Sequence, residues 1–251
     1  PLITLILKVK RYLDNLFVRV THFLRIITKK MSIIYIETYL YRELISHMLF
    51  LGPLYNLLAR LYATRINHFA LIKLSLLAID KTILYFLIFV VLRLIWLLFV
   101  RRRRTIRSEA MLWLFAFYII LVLMLTTFRD TYFPWQLTFH FDRPLSDINL
   151  VFMKETWKMF YAQSRVDFIY NSFGNVLCFI PIGLLTPIVF SKKQTFWRVI
   201  LFGIIFSVII EGMQFLLETG VSDIDDVFFN TCGTILGYLL YLVYKRIRKN
   251  F

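Results

Sequence analysis

The stretch Ala110–Phe128 has the sequence AMLWLFAFYIILVLMLTTF and contains no charged side chain. A helix that crosses a bilayer core of about 30 Å needs about 20 apolar residues. This stretch therefore predicts a transmembrane helix, and the composition extends that prediction to the whole chain. Of the 251 residues, 59% are hydrophobic and only 18% are charged, and the mean hydropathy is +0.70. These values exclude a soluble domain and a disordered chain, and two cysteines exclude a disulfide scaffold.

Other apolar stretches predict further spans on both sides of this one. They are Leu44–Leu58, Thr82–Val100, Phe173–Phe190, Val199–Leu217 and Val227–Tyr244. We therefore expect an all-α, polytopic membrane protein with about six transmembrane helices. The Gly52-Pro53 pair interrupts the first of these stretches, which leaves open that it dips into the membrane and returns. The alternative count is then five.

Basic residues predict the orientation of these spans. The net charge is +15, and basic clusters lie at 101–107, 192–198 and 245–249. Cytoplasmic flanks of membrane helices are rich in Lys and Arg. We therefore expect these clusters and both termini to be cytoplasmic, with 129–172 and 218–226 outside. The bilayer, and not nucleic acid, is the expected partner of this charge.

The chain divides into four predicted segments. Residues 1–30 alternate apolar and basic side chains at helical spacing, which is typical of an amphipathic helix on an anionic membrane surface. Membrane helices follow at 31–105 and a membrane domain at 106–245, and 246–251 form a basic tail.

Polar side chains within apolar stretches are candidates for function, because they are costly in a membrane unless they face protein or water. Glu211 and Gln214 lie three residues apart in one predicted span. In the last span, Asp226, Asn230, Gly233 and Gly237 share a narrow face. Glycines four residues apart let a neighbouring helix approach closely. We expect that neighbour to be Val199–Leu217.

A third polar group, at four-residue spacing, consists of Asp167, Asn171 and Asn175 and leads into the span Phe173–Phe190. Pro181 and Gly183 are expected to interrupt that helix. We expect one outward-facing polar pocket formed by Asp167, Asn171, Asn175, Glu211, Gln214, Asp223, Asp226 and Asn230. The alternative is a set of structural interhelical hydrogen bonds, worth about 0.6–2 kcal/mol each.

The acidic residues Asp223, Asp225 and Asp226 allow two interpretations. Acidic side chains at a helix N-terminus cap free N–H groups and complement the helix dipole. Three carboxylates could also hold a divalent cation through oxygen ligands. No cofactor is otherwise predicted.

Three motifs in this region fit together in order and spacing. Asn175-Val-Leu-Cys-Phe-Ile-Pro-Ile-Gly183 resembles the N-x-x-x-F-x-P-x-G signature of the VanZ-like family. Glu211-Gly-Met-Gln214-Phe resembles its E-x-x-Q-F element. The stretch from Asp223 to Gly237 resembles its D-I-x-D-x-x-x-N-T-x-G-x-x-x-G block. The family often has an earlier N-L-x-P-F element, for which Asn149-Leu-Val-Phe152 is nearest but lacks the proline.

The resemblance implies a multi-pass protein of the bacterial cytoplasmic membrane. The founding member of the family is associated with low-level resistance to teicoplanin, a lipoglycopeptide that targets cell-wall precursors. We therefore expect this chain to limit lipoglycopeptide action by binding the drug or a lipid-linked cell-wall precursor at the outer leaflet.

Two other functions are open. One is a membrane enzyme acting on a lipid-linked envelope substrate, with Glu211 as general base. The chain has no G-x-S-x-G, H-E-x-x-H or C-x-x-C motif, so the sequence leans against an enzyme. The other is a lipid transporter or flippase, which a proline-interrupted helix beside buried carboxylates would suit.

Overall fold

The computed structural model describes residues 48–63, 69–100, 104–162, 165–190 and 194–249. These residues form seven α-helices and two short 3₁₀ turns, at Pro134–Gln136 and Leu145–Asp147. The α-helices are α1 (Gly52–Tyr62), α2 (Phe69–Phe99), α3 (Ile106–Thr126), α4 (Lys154–Ala162), α5 (Arg165–Val189), α6 (Phe196–Leu217) and α7 (Ile224–Lys249). The predicted amphipathic segment 1–30 lies outside the described residues.

Five of these helices are long and apolar enough to cross a membrane. They are α2, α3, the Ser172–Val189 part of α5, α6, and α7 as far as Arg248. The predicted all-α, polytopic architecture is confirmed. The sixth predicted span stays a prediction, because residues 44–47 lie outside the described residues and α1 contains 11 residues. A helix of that length covers about half of a bilayer core.

The helices define two ends of the bundle. At the basic end, α2, α5 and α7 finish and α3 and α6 begin. There Arg93 of α2 pairs with Glu109 of α3 through Nε–Oε1 and Nη2–Oε2 contacts of 2.6 and 2.9 Å, and Arg104 donates to the Val189 carbonyl at the end of α5. At the acidic end, α3 and α6 finish and α7 begins. At the basic end, the charge of Arg93, which interrupts the apolar stretch of α2, is therefore neutralised by Glu109 inside the bundle.

The long helix α2 passes through a buried charged pair, Asp80 and Lys81, and begins well before the predicted Thr82. Asp80 accepts hydrogen bonds from the N–H groups of residues 49, 50 and 51 and from the Tyr132 hydroxyl at 2.5 Å. Burial and this carboxylate raise the pKa of Tyr132. Lys81 Nζ donates to the carbonyls of residues 128, 129 and 131. The helix continues because tertiary partners satisfy both charges.

The tightest helix pair is α5 with α7. A Cβ atom at Gly237 would overlap the carbonyl oxygen of Ile180, and one at Gly233 would overlap that of Val176. Gly183 of α5 meets the Thr234 carbonyl in the same way. The expectation that the glycine face packs on Val199–Leu217 is therefore wrong, because its two glycines contact the α5 backbone.

Helix α5 runs without interruption through Pro181 and Pro187. The expected break at Pro181 and Gly183 is therefore wrong. Membrane helices tolerate proline where neighbouring helices and hydroxyl groups satisfy the freed carbonyls. The carbonyls that lose their helical donors here are those of Leu177 and Gly183, and α7 packs closely on this stretch.

The apolar core lies where α3, α5 and α6 meet. Its fully buried members are Val122, Phe179, Ile182 and Ile210, and Phe115, Leu185 and Val189 extend it toward the basic end. This core fixes α5 and α6, which carry Asn175 and Glu211.

We expect Gly237→Ala to destabilise the α5–α7 pair, because its methyl group would overlap a backbone carbonyl. Overpacking of this kind costs about 1–3 kcal/mol, so the Tm of the detergent-solubilised chain should fall. Gly212→Ala is the matched control, since no atom lies within 4 Å of that position and alanine gains about 0.5–1 kcal/mol over glycine in a helix. Equal Tm values for the two variants would contradict the close packing.

Candidate functional site

The polar residues gather at the acidic end, around the first turn of α7. Asp223 precedes this helix and caps it, because its Oδ1 accepts the Asp225 N–H at 2.9 Å. The backbone N–H of Asp223 in turn donates to Glu211 Oε2 at 3.1 Å. The last turns of α6 and the start of α7 are thus joined by one carboxylate.

Segment 129–153 is attached to the same place. Asn149 pairs with the backbone on both sides of Asp223, donating from its N–H to the Ser222 carbonyl at 2.9 Å and accepting from the Ile224 N–H at 3.0 Å. Its Nδ2 donates to Asp223 Oδ2 at 2.9 Å. A single residue thereby links this segment to the helix cap.

The buried carboxylate of Asp225 holds the short helix α4. Its Oδ1 accepts the Met153 N–H and its Oδ2 accepts the Thr156 hydroxyl, both at 2.6 Å. Met153, with φ of 61°, turns the chain into α4. Both carboxylate oxygens of Asp225 are therefore used in positioning this helix.

A further contact attaches the segment to the end of α6. Arg143 lies over the Phe215 ring, with 4.9 Å from Cζ to the centroid, and its Nη1 donates to the Phe215 carbonyl at 3.1 Å. The His140 N–H donates to the Leu216 carbonyl at 2.8 Å. The segment is thus fixed to both α6 and α7.

One helical turn further into the bundle, Asn175 of α5 donates from Nδ2 to Asp226 Oδ1 at 2.6 Å. Deeper still, Asn230 donates to the Ser207 hydroxyl at 2.9 Å. Its Oδ1 is buried without a hydrogen-bond partner in the described part of the chain. An unpartnered buried acceptor is costly, so this atom is suited to receive a donor from water or a ligand.

The structure therefore brings together only part of the predicted set. Asn175, Glu211, Asp223 and Asp226 converge, and Asn230 lies below them. Gln214 instead donates to the Thr126 carbonyl at 3.2 Å, at the end of α3. Asp167 and Asn171 belong to α5, and their side chains lie outside the described residues.

The cluster contains four carboxyl groups, Glu211, Asp223, Asp225 and Asp226. Glu211 interacts electrostatically with Asp223 and Asp226, and Asp226 interacts with Asp223 and Asp225. Among the described residues, no Lys or Arg forms an ion pair with any of these four carboxylates. Such a site favours N–H and O–H donors or cations.

The acidic side chains of the predicted cation site are engaged by protein donors. Within the described ranges, no group of three His, Cys, Asp or Glu side chains has the geometry to hold a metal ion. Both oxygens of Asp223 and of Asp225 accept hydrogen bonds from protein donors. The cation stays a prediction.

An exposed aromatic surface borders the cluster. On α4, Trp157 and Tyr161 stack at 5.6 Å between ring centroids and are 55% and 78% exposed. Phe152, just before α4, is also exposed and packs edge-on against Phe228 of α7. Aromatic side chains with one apolar and one wet face are typical of the membrane–water interface.

Sequence reasoning missed several residues of this end of the bundle. In the sequence, Asn149 belongs only to an incomplete motif. Nothing near it in the chain indicates that it binds the distant helix cap at Asp223. Thr156 is an ordinary helix residue in sequence. Asp80 and Lys81 did have a signal, since two adjacent charges interrupt a long apolar stretch.

Residues 115–245, more than half of the chain, match the VanZ/LLP1 family. This chain belongs to the VanZ/LLP1 family. It is also similar to Protein VanZ of Enterococcus faecium, with 42% identity over 67 residues. That alignment covers 27% of this chain and 41% of the relative, so less than half of the relative's length is matched. No solved structure matches the chain.

The VanZ/LLP1 match contains the whole acidic cluster, including Asn149, Asp225 and α4. Asp80 and Lys81 lie before it. The polar cluster is therefore part of the VanZ/LLP1 region, and the buried charged pair of α2 supports it from outside.

We expect Asp225→Ala to release α4 and the residues before it. The substitution leaves the Met153 N–H and the buried Thr156 hydroxyl without their acceptor, which costs about 1–3 kcal/mol for such a group. Hydrogen exchange of the intact chain should therefore become faster at residues 149–162. Asp142→Ala, at an exposed carboxylate of the same segment, is the control. Unchanged exchange in Asp225→Ala would show that this carboxylate does not hold α4.

Proposed function

We propose that this VanZ-family protein limits the action of teicoplanin-type lipoglycopeptides by binding the drug at the outer leaflet of the bacterial cytoplasmic membrane. The observation that carries the proposal is the position of an exposed aromatic surface directly beside a negative, hydrogen-bond-accepting cluster. Both features lie at the acidic end and are joined by Asp225.

The two surfaces suit the two chemical parts of a lipoglycopeptide. Its lipid part favours an interfacial aromatic surface such as that of Phe152, Trp157 and Tyr161, where apolar area is removed from water. Its sugar hydroxyls and peptide N–H groups are donors, and carboxylates are strong acceptors for them. Glu211 and Asp226 would accept these donors.

The charge of the cluster favours the drug over a lipid-linked precursor. Such a precursor carries phosphate groups, which are anions. Bringing them beside Glu211, Asp223, Asp225 and Asp226 costs Coulombic energy unless a cation lies between them. The acidic end faces the outside in this proposal, because the basic residues at the opposite end favour the cytoplasm. The enzyme and flippase alternatives stay predictions.

Glu211→Gln and Asp226→Asn test the proposal, because each removes a charge and keeps a hydrogen-bond acceptor. In the first variant the new amide carbonyl can still accept the Asp223 N–H, and in the second it can still accept Asn175 Nδ2. The fold should therefore survive. A charge-assisted hydrogen bond contributes about 1.5–3 kcal/mol, so the Kd for teicoplanin should rise about tenfold or more, and the protection of cells should fall.

Glu218→Gln is the control for these variants, since Glu218 is an exposed carboxylate at the same end, 3.9 Å from the His140 ring. It should leave susceptibility unchanged at equal membrane abundance. A glycopeptide without the acyl chain should bind more weakly to the unmodified protein. The proposal fails if Glu211→Gln and Asp226→Asn, at normal abundance, protect cells as well as the unmodified protein does.

A further inference from the structure

A groove lies at the basic end, on the opposite end of the bundle from the acidic cluster. It is a cavity of about 810 Å³ between α3, α5 and α7, within the range of roughly 300–1,000 Å³ that is usual for small-molecule sites. Its lining is mainly apolar, with Met111, Leu184, Ile188 and Leu240 forming the floor. This floor can accept an apolar chain.

The mouth of the groove is basic. Arg107, in the first turn of α3, and Arg248, in the last turn of α7, both line it. Neither arginine forms an ion pair within the described part of the chain. Two exposed guanidinium groups above an apolar floor are complementary to an anion that carries a hydrocarbon tail.

Helix geometry explains why these residues meet. Leu240, Tyr244 and Arg248 recur every four residues, so they share one face of α7 that turns from apolar to basic toward the end of the helix. The N-terminus of α3 lies beside that face, with Thr105 and Ser108 in the lining. The positive end of the α3 dipole adds to the attraction for an anion.

We propose that this groove is a binding site for one anionic phospholipid of the surrounding membrane. The phosphate lies between Arg107 and Arg248, and an acyl chain occupies the floor along Leu184 and Ile188. This site is separate from the acidic cluster and does not depend on the proposed function.

The binding test uses the intact, detergent-solubilised chain with equal amounts of phosphatidylglycerol and phosphatidylcholine of identical acyl chains. Native mass spectrometry reports which lipid stays bound. The unmodified protein should retain phosphatidylglycerol preferentially. In the Arg107→Ala/Arg248→Ala variant this preference should fall by about 25-fold, because each arginine near an anionic headgroup contributes about a fivefold change.

Arg246→Ala is the matched control, because it removes the same charge from the same turn of α7 at a position that does not line the groove. It should keep the preference for phosphatidylglycerol. Ile188→Trp, which fills the floor and leaves the arginines intact, should reduce retention of both lipids. Excess inorganic phosphate should not displace the bound lipid.

Three results would overturn the proposal. One is equal retention of the two lipids by the unmodified protein. Another is the same loss in Arg246→Ala as in the double variant, which would indicate general attraction to basic residues. The third is a change from dimer to monomer in the double variant and in Ile188→Trp, which would assign the groove to a second copy of the chain. Circular dichroism and Tm of each variant establish that it is folded.

Discussion

The backbone contact between α5 and α7 sets the arrangement of everything at the acidic end. Gly183, Gly233 and Gly237 bring the two helices so close that a methyl group at any of them would meet a carbonyl oxygen. Helices in this contact have little freedom to slide or rotate, because each carbonyl lies against a particular glycine. That register places Asn175 beside Asp226. The hydrogen bond between these two side chains therefore follows from residues two turns away that carry no functional group.

Charges within this protein fall into two kinds. Arg93 and Glu109 neutralise each other, and Asp80 and Lys81 are enclosed by backbone N–H and carbonyl groups. Those charges are satisfied and serve to join helices and turns. The acidic cluster is different, because no Lys or Arg is paired with its four carboxyl groups in the described residues. Carboxyl groups gathered at one end of the bundle without a paired cation mark a candidate functional site.

The sequence predicts the membrane helices well because their signal is local. A charge-free stretch such as Ala110–Phe128 is expected to form a helix in a bilayer, because a helix satisfies its own backbone hydrogen bonds. Helix α3 covers most of this stretch. The convergence of Asn175, Glu211 and Asp226 was also predictable, from side chains that are expensive at membrane depth. The two predictions that were wrong, the partner of the glycine face and the helix break at Pro181, both concern contacts between helices. The partner of the glycine face could not be read from α7 alone, because both α5 and α6 carry small residues. Pro181 predicts a break only where no neighbour compensates for the lost N–H.

The hydrogen bonds of the carboxyl groups fix their positions at the acidic end. Both oxygens of Asp223 and of Asp225 are engaged by protein donors, and Glu211 Oε2 is engaged by the Asp223 N–H. Carboxyl groups held by protein donors in this way have fixed positions. Rigid acceptors lose little entropy on binding. Because Asp225 also fixes α4, the same network that orients the acceptors holds the exposed aromatic side chains in place beside them, so one ligand with donors and a lipid chain can contact both at once.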